Sequence, residues 1–179
     1  MSTRSITCRA ASFLPIMDTR DCSSPVLLIL GSAPGVVSLQ KQEYYGHPSN
    51  HFWRILENLF DIPAELPYRE RCRRVIQRRI VLWDVCHEFN RTGSSDSSIH
   101  GITVNAIEQL IARLPSIQTI ACNGQQAARL LNRHTRLPAD IRVVTLPSSS
   151  PAHAIKNAVL AKTELWRNIL GCELLDQIV

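Results

Sequence analysis

Short unbroken apolar runs alternate along this chain with longer stretches whose apolar residues recur every three or four positions. Val26 to Leu30 is the first run, closed by Gly31, as in a strand buried on both faces. Ile80 to Val85, Ile117 to Cys122 and Ile141 to Leu146 read as further strands, less purely apolar than the first. Between them, Pro48 to Phe60 predicts a helix with Phe52, Trp53, Ile55, Leu56 and Leu59 on one side. Pro67 to Arg79, Ile102 to Leu114, the segment after Asn123-Gly124, and about His153 to Leu170 read as further helices. Strands that alternate with helices predict a parallel sheet covered on both faces. Gly31 to His47 and Glu88 to His100 read as loops. Residues 1–24 lack periodicity and read as a flexible tail, or partly as an upstream extension, before one domain over 25–175.

The chain has 179 residues, of which 45% are hydrophobic and 20% charged, which suits one compact domain with a sizeable core. Its net charge of +5 points weakly to a polyanionic partner such as nucleic acid. The basic residues are 17 Arg and only 3 Lys (Lys41, Lys156 and Lys162). Arg forks match phosphate oxygens, although a GC-rich genome gives the same skew. The six cysteines, at 8, 22, 72, 86, 122 and 172, form no C-x-x-C pair. That argues against a zinc or iron–sulfur site, and no metal or cofactor is expected. Neither a signal peptide nor a membrane-spanning run is visible, so reduced thiols and a cytoplasmic location are the expectation.

Ligands of parallel sheets bind at the carboxyl ends of the strands. Three segments lie there: the loop after the first strand, the end of the second, and the Pro147–Ala152 loop after the fourth. The first reads Gly31-Ser32-Ala33-Pro34-Gly35, then Tyr44-Tyr45-Gly46-His47-Pro48-Ser49-Asn50. Small residues such as Ser32 and Ala33 let backbone amides approach a ligand closely. Tyr45 offers a flat face for stacking. Asn50 can hold a water, or simply satisfy amides at the start of a helix. Asp84 ends the second strand, where it can cap the next loop or pair with an Arg. Ser148, Ser149 and Ser150 stand just before the last helix, where hydroxyls can cap it.

The string from Gly31 to Trp53 closely resembles the first motif of the uracil-DNA glycosylase superfamily, and in particular its hypoxanthine-DNA glycosylase branch. Leu146-Pro147-Ser148-Ser149-Ser150-Pro151-Ala152 resembles that branch's second motif, and Val81 to Val85, with Gly93 and Asp96-Ser97, also fits. The resemblance covers roughly residues 25–170. It implies a three-layer α/β/α sandwich around a four-stranded parallel sheet. It also implies a monofunctional glycosylase, acting as a monomer on DNA that contains deaminated bases, with no lyase step.

Two departures bear on the substrate. In the uracil-specific and mismatch-specific branches a water-activating Asp or Asn precedes the first Pro, where this chain has Ala33. The hypoxanthine branch uses an Asn that falls on Asn50. The uracil branch also has a base-binding His where this chain has Leu146. The resemblance therefore implies Asn50 as the water-positioning residue, Tyr45 as the ring that stacks on an extruded base, and Asp84 as the acceptor for the N1–H of hypoxanthine. Ser148, Ser149 and Ser150 are implied to grip phosphates. The competing readings are a uracil or broad-range mismatch glycosylase, a non-catalytic damaged-DNA-binding module, and a hydrolase of small nucleotides.

Overall fold

The computed structural model describes residues 7–17, 24–92, 99–151 and 158–178. The expected four strands form one parallel sheet: β2 (Leu27–Gly31), β3 (Ile80–Asp84), β6 (Thr119–Asn123) and β7 (Arg142–Leu146). Their spatial order is β3-β2-β6-β7, so β2 is interior and pairs on both sides. Every residue of β2, β3 and β6 is buried.

Alternation along β2 makes the layers. Leu27 and Ile29 belong to one apolar core, and Leu28 and Leu30 to another. On the first face lie α2 (Phe52–Phe60), α3 (Tyr68–Gln77), α6 (Ala158–Leu170) and α7 (Cys172–Ile178). On the second lie α4 (Ile107–Arg113) and α5 (Gln125–His134). In α2 the buried residues Phe52, Trp53, Ile55, Leu56, Leu59 and Phe60 form a helical stripe. The result is the three-layer α/β/α sandwich anticipated above. Among the described residues, no helix is long and apolar enough to cross a membrane.

The structure departs from the sequence pattern in several places. The 31–47 loop contains a short helix, α1 (Val36–Lys41). The 88–100 segment is not a plain loop: β4 (Cys86–Thr92) and β5 (Ile99–Val104) pair antiparallel, and residues 93–98 lie outside the described residues. Ile102 and Thr103 therefore belong to a strand, and the following helix starts only at Ile107. None of the six β5 residues is buried, and three of them, His100, Gly101 and Thr103, are polar or Gly, so no sustained apolar alternation betrays the strand. The C-terminal helix ends at Leu170, and α7 follows after Gly171. Residues 152–157, including Ala152, His153 and Lys156, lie outside the described residues.

The largest correction concerns the expected tail. β1 (Thr7–Ala11) pairs antiparallel with β4 and completes a second, three-stranded sheet ordered β1-β4-β5. Beyond it, Ile16 bonds Leu82 through both backbone groups, at 2.9 and 3.3 Å, and so covers the open edge of β3. The Phe13 ring meets Tyr44 edge-on at 5.1 Å. Backbone pairing and two or three inserted side chains hold this strap, so it needs no periodic stripe.

The first core closes around Trp166, which is fully buried and donates its indole N–H to the Pro147 carbonyl at 2.8 Å. Trp166→Ala is expected to lower the unfolding free energy by about 3–5 kcal/mol. Trp166→Phe should cost clearly less, because it keeps most of the packing. Urea denaturation of both variants checks this.

Candidate functional site

A pocket of about 430 Å³ opens at the carboxyl ends of the parallel strands. All eight residues singled out from the sequence line it: Ser32, Ala33, Tyr45, Asn50, Asp84, Ser148, Ser149 and Ser150. Segments far apart in sequence meet there because parallel strands all deliver their following loops to the same end.

Asp84 ends β3 and is only 3% exposed. Its neighbour across the pair is Gly31, and a β-carbon at Gly31 would lie 2.3 Å from Asp84 Oδ1 and 3.2 Å from the Tyr45 hydroxyl oxygen. Glycine is thus required by close approach. The other carboxylate oxygen, Oδ2, accepts a hydrogen bond from the Ser12 hydroxyl at 2.8 Å. Behind the strand end, the Asn105 side-chain amide donates to the carbonyls of Asp84 (2.8 Å) and Cys86 (3.1 Å). The sequence pattern gave no signal for Ser12, which lies in the presumed tail.

The Tyr45 ring lies flat on Phe52, with centroids 3.7 Å apart and planes 16° apart. Its backbone is left-handed, with φ 54°, which costs a non-glycine residue about 1–2 kcal/mol. Such strain marks a conformation imposed by its surroundings. Tyr44 turns inward, as the neighbour of a stacking ring should, and is 3% exposed. Burial, and then the Asp84 charge, push its phenol far above the usual range, so it stays neutral.

Asn50 precedes α2. Its Oδ1 accepts the Phe52 N–H at 3.0 Å, which fixes which end of the amide faces the helix. This is the helix-start role weighed above. It leaves the second lone pair of Oδ1 and the whole amide nitrogen for other partners, on a side chain that lines the pocket.

The serine loop is clamped from three sides. Asn123, at the end of β6, donates from Nδ2 to Ser149 Oγ at 2.8 Å, and its Oδ1 accepts the Ser149 N–H at 2.8 Å. The Ser149 carbonyl accepts the His51 N–H at 3.0 Å, and the Lys162 ammonium donates to the Ser150 carbonyl at 2.9 Å. Gly124 turns the chain beside this loop with φ 102°, and a β-carbon there would meet Ser148 Cβ at 3.1 Å.

These contacts give one of the three serines a structural role. The Ser149 hydroxyl points into the protein toward Asn123, and the residue is 1% exposed, so it serves the loop's shape. Ser148 and Ser150 remain partly accessible at the mouth. Asn123 and Lys162 were missed in the sequence. Asn123 stood at a strand's carboxyl end before a glycine, and Lys162 shares a helical face with Trp166 four residues on, so signals for both were present.

Lys162 is fully buried, and burial lowers its pKa from the usual lysine value. It also lies 3.4 Å from His51 Nδ1. Burial, and then this ammonium, hold His51 below the ordinary histidine range. Among the described residues no cluster of three or more His, Cys, Asp or Glu is arranged to hold a metal. Three of the four arginines of α3 are engaged locally: Arg73 and Arg74 pair with Glu70, and Arg71 lies 4.4 Å over the Trp53 ring.

The model for the uracil DNA glycosylase superfamily matches residues 19–170. The chain is 36% identical over 132 residues to the hypoxanthine DNA glycosylase of Methanosarcina acetivorans, covering 71% of this chain and 80% of that protein. It is 34% identical over 116 residues to the hypoxanthine DNA glycosylase of Methanosarcina barkeri, covering 64% and 71%. Its structure also resembles the solution NMR structure of a Methanosarcina acetivorans protein carrying a uracil DNA glycosylase name. That match has a TM-score of 0.72 and 30% identity, over 90% of this chain and 98% of that one.

Two outcomes follow from the contacts around the pocket. Gly31→Ala should cost about 1–3 kcal/mol through overpacking, and adding Asp84→Ala should recover most of it, because the clash is with that carboxylate. A double-mutant cycle in urea tests the coupling. His51 has its folded pKa below the reference value of 6.5. The stability tied to its neutral form is therefore complete above about pH 6.5 and lost as pH falls through the lower folded value. Unfolding free energy should drop less between pH 7 and 5 in His51→Gln than in the wild type.

Proposed function

This chain belongs to the uracil DNA glycosylase superfamily, and on that premise we propose that it excises hypoxanthine from DNA by hydrolysing the N-glycosidic bond of deoxyinosine. The observation that carries the reading is the meeting of the Tyr45 ring, the Asp84 carboxylate and the Asn50 amide in one pocket, with Ala33 where a water-activating acid or amide would otherwise stand. A base inside the duplex cannot reach such a pocket, so the target nucleotide must leave the stack.

In this reading the extruded base stacks on Tyr45, whose other face is supported by Phe52. Backbone at Ser32 and Ala33 lies along the base, where small side chains permit close approach. Asp84 accepts the N1–H of hypoxanthine. Adenine has a lone pair at N1, which a buried carboxylate facing it repels. Sites built to bond an N–H reject analogues that lack it by large factors.

Bond cleavage leaves a cationic sugar, which the flanking phosphates stabilise. Asn50, a neutral amide and so not a strong base, accepts a hydrogen bond from the attacking water through Oδ1 and sets its direction toward C1′. The bond from Phe52 N–H to the same oxygen holds the amide still while it does so. Ser148 and Ser150, with backbone amides of their loop, contact the phosphates beside the lesion. Ser149 supports them from beneath. The catalytic unit is a monomer.

A lyase step requires an amine that attacks C1′. Lys162 is fully buried against Ser150, and Lys41 Nζ donates to the Gly46 carbonyl at 3.0 Å. Both roles are structural, which supports a monofunctional enzyme, and Lys156, the third lysine and the other one near the motifs, lies outside the described residues.

With end-labelled duplexes carrying one deoxyinosine or one deoxyuridine, the wild type should generate alkali-labile sites at deoxyinosine, with no strand scission before alkali and no borohydride-trapped adduct. Asn50→Ala should slow excision by about 100-fold or more while duplex binding persists. Cleavage confined to deoxyuridine would replace the substrate assignment with a uracil or broad-range activity. An Asn50→Ala enzyme as fast as wild type would remove Asn50 from the mechanism.

A further inference from the structure

Ser12 stands seven residues before the segment matched by the superfamily model, which begins at residue 19. Its hydroxyl nevertheless reaches the carboxylate assigned above to base recognition, donating to Asp84 Oδ2 at 2.8 Å. We propose that Ser12 is a positioning residue for base selection, holding one oxygen of Asp84 so that the other stays against Gly31, on the pocket floor. The proposal rests on the reading of Asp84 given under the proposed function.

The physical case begins with the carboxylate. The terminal torsion of an aspartate is broad and roughly two-fold, so packing alone sets it poorly. A buried carboxylate also needs hydrogen-bond donors, and a hydroxyl donating to an ionised acceptor makes a strong, short-range bond. Ser12 meets both needs only if its own backbone is fixed. Its N–H donates to the His87 carbonyl at 2.7 Å, continuing the pairing of β1 with β4. The next carbonyl, that of Phe13, accepts the Trp83 indole N–H at 3.0 Å. Four residues on, Ile16 is bonded to Leu82. The strap is thus tied on both sides of Ser12 to residues flanking Asp84 on its own strand or just beyond it. That is more anchoring than covering a sheet edge requires.

The consequence is selective. Loss of the hydroxyl removes the donor on Oδ2 and loosens the angle of the carboxylate, which weakens contact with the base but leaves the phosphate-binding loop untouched. The test uses the full chain as wild type, Ser12→Ala, Ser12→Thr, Asp84→Asn and the Ser12→Ala/Asp84→Asn pair. Single-turnover excision of deoxyinosine is measured beside affinity for a duplex carrying a tetrahydrofuran abasic analogue, which offers no base.

Ser12→Ala is expected to slow excision by about 10-fold or more, the scale of one hydrogen bond to a charged group, with abasic affinity unchanged. Ser12→Thr, which keeps the hydroxyl, should restore most of the rate. In the Asp84→Asn background Ser12→Ala should add little, because its effect passes through Asp84. Ser12→Ala as fast as wild type overturns the proposal. So does an equal fall in abasic affinity, failure of Ser12→Thr to recover, or an undiminished effect beside Asp84→Asn. Wild type inert on deoxyinosine, or Asp84→Asn at full rate, overturns the underlying reading, and this proposal with it.

Discussion

Where β2 and β3 end, the backbone of Gly31 approaches the Asp84 carboxylate so closely that a β-carbon would lie 2.3 Å from Oδ1. The pocket is organised around this contact. It lets a buried acid sit at the floor of a cleft with the Tyr45 hydroxyl nearby, and it sets how near a planar ligand can come to the strand ends. It depends in turn on the parallel register that puts Gly31 opposite Asp84, which the apolar residues Leu27–Leu30 and Ile80–Trp83 fix by burying both faces of the sheet.

Around that floor the walls come from different layers and are joined by polar contacts. The serine loop follows β7 but is held by Asn123 on β6, by the backbone of His51 just before α2, and by Lys162 on α6. Buried polar networks of this kind are costly when incomplete and give a single geometry when satisfied. Here the network fixes the spacing between the loop's exposed serines and Asn50, next to His51. In the proposed reading that distance matters, because phosphate contact by the loop and water placement by Asn50 would act on the same nucleotide.

The sheet and most helices were legible because their signals are dense: four apolar runs and an amphipathic stripe over α2 leave few alternatives. The main recognition loop was legible because Gly31 to Asn50 carries an unusual string of small, aromatic and amide residues. What stayed hidden has a physical reason in each case. β4 buries only Cys86 and Phe89 among its described side chains and β5 buries none, so no regular apolar alternation marks the pair. The strap over 7–17 is fixed by backbone bonds and by Phe13 and Ile16, which no periodicity reveals. The inward turn of Ser149 among three serines depends on Asn123, a partner 26 residues away. Ser12 is the same problem at greater distance, 72 residues from Asp84.

The central claim is that this pocket releases a particular base. The most direct measurement is chromatography of free bases after a molar excess of duplex, with one deoxyinosine per molecule, is incubated with the purified chain. The account predicts hypoxanthine released in excess of enzyme, and no adenine from a matched duplex carrying deoxyadenosine at that position. Tight binding of the deoxyinosine duplex with no free hypoxanthine would contradict it, and would leave a module that recognises damaged DNA without cutting the base away.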